Sequence, residues 1–481
     1  MKLPTELQAR LEAVSSLLPS SAVQKGETAE EAALRLTLEA GLEVVEARYP
    51  VPVSSHAVAR SFLRVAGLNL NNRVYTRRDE FLDWLAFWEP DIVAIQEVTR
   101  SNTGLPTIPD YTWSGGTELC AILTRTSLQA PPAAILDVEQ RWVRLKFGTQ
   151  VIDSVYFPSD TARRRANFLE TLATGEIPGP ASLVLGDFNM APQLGDGLFK
   201  GQPSAFTKKY ERQKLNHLMA LWGLEDLWLH HSGVGYRFTF ERKQRGGWVR
   251  FRCDLALGSQ SLPIVSVVHA HDTRLGASPF TDHSGVIVDL AGPSNIHIQP
   301  SNTAISRQEP SRPVQTLLEQ GHLSAGQRVL DMSCGHGTDV EWLRTQGLQV
   351  TGWDPNPAFG YTQKPAGVFD AVLLVFVVNC LPTPQQRIQA IEDAWAHVRQ
   401  GGGLVVVSHT RSEIQRKAAG RWGRHRDGWV SAPARGTFQK GHDAQGLRRL
   451  VAGLLDAQVS IADHSGGSAR VMVRRLSSST I

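Results

Sequence analysis

Leu183-Val184-Leu185-Gly186-Asp187-Phe188-Asn189-Met190-Ala191-Pro192 is a short apolar run that breaks at a glycine and ends in two polar residues. The run reads as a buried strand. Asp187 and Asn189 are two apart, so in extended backbone they project to the same side. A carboxylate then stands beside a carboxamide at the rim of a sheet. A plain strand-to-turn junction uses the same residue types, and this stretch alone does not decide between the two readings. The decision comes from other stretches that end the same way and fall in order along the chain.

Upstream, Phe62 to Asn71 reads as a strand ending in asparagines, and Asp91 to Glu97 as a buried strand ending in a carboxylate. Between them Phe81, Trp84, Leu85 and Trp88 recur at helical spacing, and Pro90 closes that helix. Val151 to Tyr156 is a further strand, closed by Pro158. Downstream, a helix through Leu215, Leu218, Met219 and Trp222 is followed by a basic stretch from Arg237 to Arg252, with Arg242, Lys243, Arg245 and Arg250. That stretch runs into Arg252-Cys253-Asp254, and Thr281-Asp282-His283-Ser284 precedes the last strand of the series. His269, His271 and Asp272 read as alternating polar residues on an exposed strand.

The chain has 481 residues, which implies two or three domains. Hydrophobic residues at 42% and charged residues at 20% describe a globular protein and exclude a disordered one. No apolar run is long enough to span a bilayer, and the first residues lack the apolar core of a signal peptide. Cys120, Cys253, Cys334 and Cys380 are scattered, which argues against a disulfide framework or a zinc knuckle. A cytoplasmic location is the default expectation. The net charge of +4 permits a polyanionic partner without requiring one. Capping boxes at Thr5 to Gln8 and Thr28 to Glu31 predict helices within residues 1–60, where no chemistry is visible.

The ordered stretches Leu68-Asn69-Leu70-Asn71, Ile95-Gln96-Glu97, Tyr156-Phe157-Pro158, Gly186-Asp187-Phe188-Asn189, Arg252-Cys253-Asp254 and Asp282-His283 resemble the endonuclease/exonuclease/phosphatase superfamily. Each is short, but six in order over about residues 62–291 make the likeness specific. It implies a two-sheet α/β sandwich with its site at one edge. It also implies that Glu97, Asn69 and Asp282 serve a divalent metal, Mg²⁺ or Mn²⁺, which needs only one or two protein carboxylates. Asp187 would orient or deprotonate the attacking water and Asn189 would hold phosphate. Asp254 would pair with His283 and fix its tautomer, and Tyr156 would contact phosphate or the leaving group. Leu68 departs from the pattern, where many relatives carry an aromatic residue.

Residues 292–310 are rich in Gly, Pro, Ser, Asn and Gln and read as a linker between separate cores. Beyond them strands and helices alternate, which predicts a parallel sheet covered by helices. The second constellation is Asp331-Met332-Ser333-Cys334-Gly335-His336-Gly337, with Asp354 ending the next strand. It resembles motif I of class I S-adenosylmethionine-dependent methyltransferases. The glycines let a ligand approach backbone at a helix N-terminus, and an acid at the place of Asp354 can hold ribose hydroxyls. Val340 stands where a dinucleotide fingerprint needs glycine, and Ser333 replaces a glycine common in this loop. Ser311-Arg312-Pro313, Gly352-Trp353-Asp354-Pro355, Val378-Asn379 and Thr437-Phe438-Gln439-Lys440 narrow the likeness to the methyltransferases associated with DNA phosphorothioation systems. No Asp-Pro-Pro-Tyr motif follows the third strand and no Pro-Cys nucleophile occurs, which argues against an ordinary adenine-N6 or cytosine-C5 enzyme. A basic stretch from Arg411 to Arg449 reads either as a nucleic-acid track or as a solvated helix face.

The expectation is therefore an α/β chain: a helical segment at 1–60, a sandwich nuclease domain at 61–291, a linker at 292–310, and a Rossmann-like methyltransferase domain at 311–481. Catalytic residues would be Asp187, Asn189, His283, Asp254 and Tyr156, metal residues Glu97, Asn69 and Asp282, and cofactor residues Asp331, Gly335, Gly337 and Asp354. The expected cofactors are Mg²⁺ or Mn²⁺ and S-adenosylmethionine. The expected partner is nucleic acid, DNA favoured over RNA, with no membrane and no assignment of oligomeric state. The expected setting is DNA modification, restriction or repair. Two alternatives stay open: a small-molecule or lipid phosphodiesterase with a regulatory second domain, and a non-catalytic DNA-binding protein.

Overall fold

Two six-stranded sheets face each other across the first half of the chain. In spatial order the first runs Ile264–Ala270, Gly285–Ala291, Phe62–Asn69, Ile92–Gln96, Cys120–Arg125, Tyr111–Gly116. The second runs Leu224–Asp226, Asp254–Ser259, Leu183–Asp187, Gln150–Tyr156, Trp142–Phe147, Ala134–Ile135. These come from a computed structural model that describes residues 62–99, 104–137, 139–174, 180–231, 233, 235–244, 246–292 and 296–476. The helices expected within 1–60 and the side chain of Arg245 lie outside the described residues.

The strand sequences explain the layering. Val65 to Leu68 and Ile92 to Ile95 are buried throughout, as strands covered on both faces must be. Their outer face packs on Arg78–Trp88 through Phe81, Trp84, Leu85 and Trp88. The second sheet is covered by Ala162–Ala173 and Lys209–Trp222, which supply Phe168, Leu169, Leu172, Leu215 and Leu218. Between the sheets the backbones come close. A Cβ at Gly67 would lie 3.2 Å from Leu185 Cβ.

The second half holds a sheet in the order Gln349–Trp353, Arg328–Met332, Phe369–Val375, Val398–His409, Ser468–Arg475, Ala457–Ser465. The first four strands are parallel and the last two form an antiparallel hairpin. Hydrophobic clusters cover both of its faces. A three-stranded sheet, Gly423–His425, Gly428–Ala432 and Thr437–Gln439, follows. No helix among the described residues is long and apolar enough to cross a membrane.

The two halves keep hydrophobic clusters of their own and pack against each other. From residue 62 onward the described residues, apart from 127–129, cluster as one compact unit. Phe87, on the first-half helix, packs against clusters of both halves. The stretch read as a linker is fastened in place. Its backbone amide at Gln299 donates to Gly436 O (2.9 Å), Asn302 Nδ2 donates to Arg435 O (2.7 Å), and Arg307 pairs with Asp339 (3.1 Å).

Charged groups buried between the halves make the junction specific. Arg64 donates from Nε and Nη2 to Asp289 (2.6 and 2.8 Å) and reaches Asp427 at 3.3 Å. Asp427 also accepts from both Arg387 terminal nitrogens and from Lys440 Nζ at 2.7–2.9 Å. Arg411 and Arg424 pair with Glu89, and Arg449 pairs with Asp272. Part of the basic stretch from Arg411 to Arg449 is thus spent within the fold, while Arg416 stays exposed, Lys417 partly so, and both pair with Glu413 on their own helix. Spacing alone cannot show the pairings with Glu89 and Asp272, because those acids lie far away in sequence.

Candidate active site and cofactor cavity

The residues quoted from the strand ends of the first half meet at one edge of the sandwich. Leu183–Asp187 lies between Gln150–Tyr156 and Asp254–Ser259, with Tyr156 and Asp254 both in register with Asp187. Neighbouring strand ends therefore deliver all three side chains to one place. Asn69 ends its strand in the facing sheet, beside Ile92–Gln96.

Asp187 is the centre. Its carboxylate accepts from Asn69 Nδ2 (3.0 Å), Asn189 Nδ2 (3.2 Å) and the Asn189 backbone amide (2.8 Å). The route to that contact differs from the expected one. Asn189 is not extended; its φ of 49° lies in the left-handed region, and the chain turns back over Asp187. Asn tolerates this conformation better than most residues.

Glu97 lies one residue past its strand, also left-handed at φ 44°. It accepts from Asn69 Nδ2 (3.1 Å), Asn72 Nδ2 (2.7 Å) and Tyr156 OH (2.8 Å). Asn69 thereby spans the carboxylates of Glu97 and Asp187. Asp282 is placed beside the group through Asn71 Nδ2 (2.7 Å). His283 Nδ1 sits 3.0 and 3.1 Å from the Asp254 oxygens. Burial works against a charge on His283, but Asp254 and Asp187 overcome it and raise its pKa to about 10. The charged form of the ring is thereby favoured, with Asp254 as its nearest counter-charge. Burial pushes the Asp187 carboxyl up to about 7, with the His283 charge pulling the other way. Burial and the nearby carboxylates push the Tyr156 hydroxyl up as well.

Three carboxylates, Glu97, Asp187 and Asp254, converge with one imidazolium, and Asn69 adds an amide between two of them. An oxygen-rich, negatively charged set of this kind suits a hard divalent cation. Asp187, Cys253, Asp254 and His283 also offer ligand atoms that all lie within 4.8 Å of one another.

Several supporting residues were not singled out from the sequence. Asn72 holds Glu97, and Thr239 Oγ1 accepts from the Cys253 and Asp254 amides, each at 3.1 Å. Phe240 packs its ring 4.9 Å from that of His283. The run Asn69-Leu70-Asn71-Asn72 carried a signal for Asn72; Thr239 and Phe240 had none.

The basic stretch from Arg237 to Arg252 divides. Arg252 is fully buried against Asp196 and Asp226, Arg237 pairs with Asp196, and Arg250 pairs with Glu241. Arg242 and Lys243 remain exposed on the hairpin Phe240–Gln244 and Gly247–Phe251, with Trp248 opposite Lys243 and half exposed. His269, His271 and Asp272 are buried, not exposed as expected. His271 bonds Ser284 and the Tyr236 carbonyl, while Asp272 accepts from Trp88 and Arg449.

In the second half, Gly335, Gly337 and Asp354 line a cavity of about 930 Å³. Asp331 is buried beneath it and is not part of its wall. Asp354 Oδ2 accepts from the Gly335 amide and Oδ1 from the Asn356 amide, each at 2.8 Å, which ties the glycine turn to the end of the second strand. Gly337 has φ 75°, and a Cβ there would lie 2.1–2.3 Å from Tyr361 ring and hydroxyl atoms. Its lack of a side chain is demanded by packing as well as by any ligand. Gly337→Val should therefore destabilise the chain without any ligand, by roughly 1–3 kcal/mol for overpacking plus the strain of a branched residue at positive φ. A thermal melt checks this. An unchanged melt would mean that Tyr361 yields freely.

Residues 66–283 match the endonuclease/exonuclease/phosphatase family. Residues 304–451 match a methyltransferase domain family. No curated protein matches the chain. Among solved structures, the chain is similar to the endonuclease domain of TRAS1, a telomere-specific non-LTR retrotransposon, at 18% identity, covering 48% of this chain and 100% of that one with a TM-score of 0.33. It is also similar to AP endonuclease LMAP from Leishmania major, at 14% identity, 61% and 100% coverage, and a TM-score of 0.37. The assignment rests on the two family matches: this chain is an enzyme that carries an endonuclease/exonuclease/phosphatase-family domain followed by a methyltransferase domain.

Proposed function

We propose that the first domain is a divalent-metal-dependent phosphodiesterase acting on nucleic acid, joined to an S-adenosylmethionine-binding domain and serving DNA modification, restriction or repair. The observation that carries this is the convergence of Asp187 with Asn69, Asn189, Glu97 and the Asp254–His283 pair. Phosphodiester hydrolysis needs an oriented water, donors for the phosphoryl oxygens and neutralisation of charge. Asp187 orients and deprotonates the water. Asn189 and the His283 imidazolium donate to the phosphate, and Asp254 keeps His283 charged. Tyr156, held by Glu97, is placed toward the phosphate or leaving oxygen. Glu97 and Asn69, with Asp282 nearby, would hold Mg²⁺ or Mn²⁺, which when bound supplies charge neutralisation at the phosphate.

The hairpin bearing Arg242, Lys243 and Trp248 supports a polyanionic substrate. Phe240 of the same hairpin forms a β-bridge with His283, so the exposed cations belong to an element that touches the site. The cavity lined by Gly335, Gly337 and Asp354 supports S-adenosylmethionine binding.

Incubation with labelled duplex DNA, single-stranded DNA, RNA and a small phosphodiester, with Mg²⁺ or EDTA, tests the substrate reading. Cleavage of nucleic acid with Mg²⁺, weakening steeply as salt rises, is the expected result. Cleavage of the small ester alone, with no salt dependence, would support the small-substrate alternative instead.

A further inference from the structure

The cavity of the second domain extends well beyond the glycine turn, and its other wall is built from the ends of two strands and the small sheet. Its volume of about 930 Å³ is near the top of the range for small-molecule pockets, roughly 300–1,000 Å³, which leaves space beside a cofactor. Phe376 stands on this wall with φ 60°. For a bulky residue that is a genuine outlier, and such strain persists where the surroundings enforce it, often at functional sites. The strained backbone places the Phe376 ring 4.5 Å from that of His409, nearly parallel at 25°. His409 also lines the cavity. Burial, with Lys417 adding to it, lowers its pKa, so the imidazole is neutral.

Gln439 completes the wall. It is only 9% exposed, yet its amide Nε2 has no partner among the described residues. Asn379 orients that amide from behind, while its own Oδ1 is left buried without a partner among the described residues. The Cys380 thiol donates to Phe376 O (3.2 Å) and turns its lone pairs to Asn379 Nδ2 (3.3 Å). Asn379 Nδ2 in turn donates to Gln439 Oε1 (2.9 Å). The carbonyl of Gln439 is thereby used inside the wall, and its NH₂ is left as a donor for whatever enters.

We propose that Phe376, His409 and Gln439 form the methyl-acceptor half of this cavity and take a nucleobase with an exocyclic amine. The proposal rests on the reading that the other half holds S-adenosylmethionine. A nucleobase supplies what this wall asks for: a flat ring for the Phe376–His409 stack, a ring nitrogen or carbonyl to accept from Gln439, and an N–H to lose. The methyl carbon leaves the sulfonium sulfur, which keeps the bonding electron pair, and bonds to the amine nitrogen. The nitrogen's proton goes to solvent water. No Asp-Pro-Pro-Tyr motif follows the third strand, so this set of residues would take over that recognition.

The test uses the full chain. Calorimetry with S-adenosylmethionine comes first, followed by tritium-labelled S-adenosylmethionine with single-stranded oligonucleotides, digested and separated as nucleosides. Label in an amine-bearing nucleoside is expected. Gln439→Glu, which keeps the oxygen for Asn379 but removes the donor, and His409→Gln should each reduce transfer about tenfold or more, with cofactor affinity unchanged. Should Gln439→Glu misfold, Gln439→Leu carries the same expectation. Cofactor binding without label in any base would overturn the acceptor proposal alone. Undiminished transfer by a folded Gln439 variant would overturn the role of Gln439. No cofactor binding by the wild type would overturn the reading beneath it, and this proposal with it.

Discussion

Asp187→Asn should cut cleavage by orders of magnitude, and its stability relative to the wild type should rise as pH goes from 5 to 8. Asparagine keeps the size, and its one oxygen can still accept from the Asn189 backbone amide, which holds the local turn; its NH₂ then replaces the oxygen to which the Asn69 and Asn189 side chains donate. It cannot take a proton from water, and loss of a positioned general base typically costs about 10²- to 10⁴-fold in rate. The stability effect follows from burial. The folded carboxyl is pushed up to about 7, above an unfolded value near 3.9. The folded state thus binds more protons between about pH 4 and 7, and its stability falls across that window as pH rises. Above about pH 7 the cost is fully present, and the Asp187→Asn variant avoids it. Melts of both proteins from pH 5 to 8 should diverge as pH rises, in favour of the variant. A variant that loses ground to the wild type as pH rises would mean that the carboxylate charge stabilises the fold.

Asp427→Asn should have the largest effect on stability. Asp427 is buried and gathers Arg387, Lys440 and Arg64, the last from the first domain. Burial opposes its ionisation, yet these three cations hold its carboxyl well below the ordinary range. Removing the charge leaves cations buried without their common partner. Breaking a buried ion pair from one side costs roughly 3–5 kcal/mol. Arg64 retains Asp289, which limits the loss on the first-domain side. Because the folded pKa is depressed, the contribution is present above an unfolded value near 3.9 and lost as pH falls through the folded one. The difference between wild type and variant should therefore shrink in strong acid. Calorimetric melting is the check. One transition moving down as a whole fits the shared unit; two transitions, of which only the second moves, would show thermodynamically independent halves.

Most of the first site was legible because strand ends announce themselves. A short apolar run followed by Asp or Glu marks a place where side chains leave the core, and in a sheet such places are neighbours. The register of Tyr156 and Asp254 with Asp187 turns that into contact. The positive φ of Glu97 and Asn189 was not legible, since one sequence does not show where the chain leaves the extended state. The junction between domains was hidden for a different reason. Nothing beside Glu89 or Asp272 in the sequence marks a distant partner, and their partners Arg411, Arg424 and Arg449 lie 177 to 335 residues away. Buried arginines such as Arg64 and Arg252 read as surface charges until their acids are located. The stretch 296–310 has linker composition, but it folds against Gly436, Arg435 and Asp339, and composition carries no information on such partners.

The most direct measurement of the central claim is single-turnover cleavage of labelled duplex DNA across a Mg²⁺ titration, comparing wild type with Glu97→Gln. Glu97 is the carboxylate that Asn69, Asn72 and Tyr156 hold in position, and glutamine preserves its shape while removing its charge. The account predicts no cleavage by wild type in EDTA, saturable cleavage with Mg²⁺, and for Glu97→Gln a requirement at least about tenfold higher, in line with the loss of one charged ligand. Cleavage by wild type in EDTA, or identical Mg²⁺ curves for the two proteins, would contradict it.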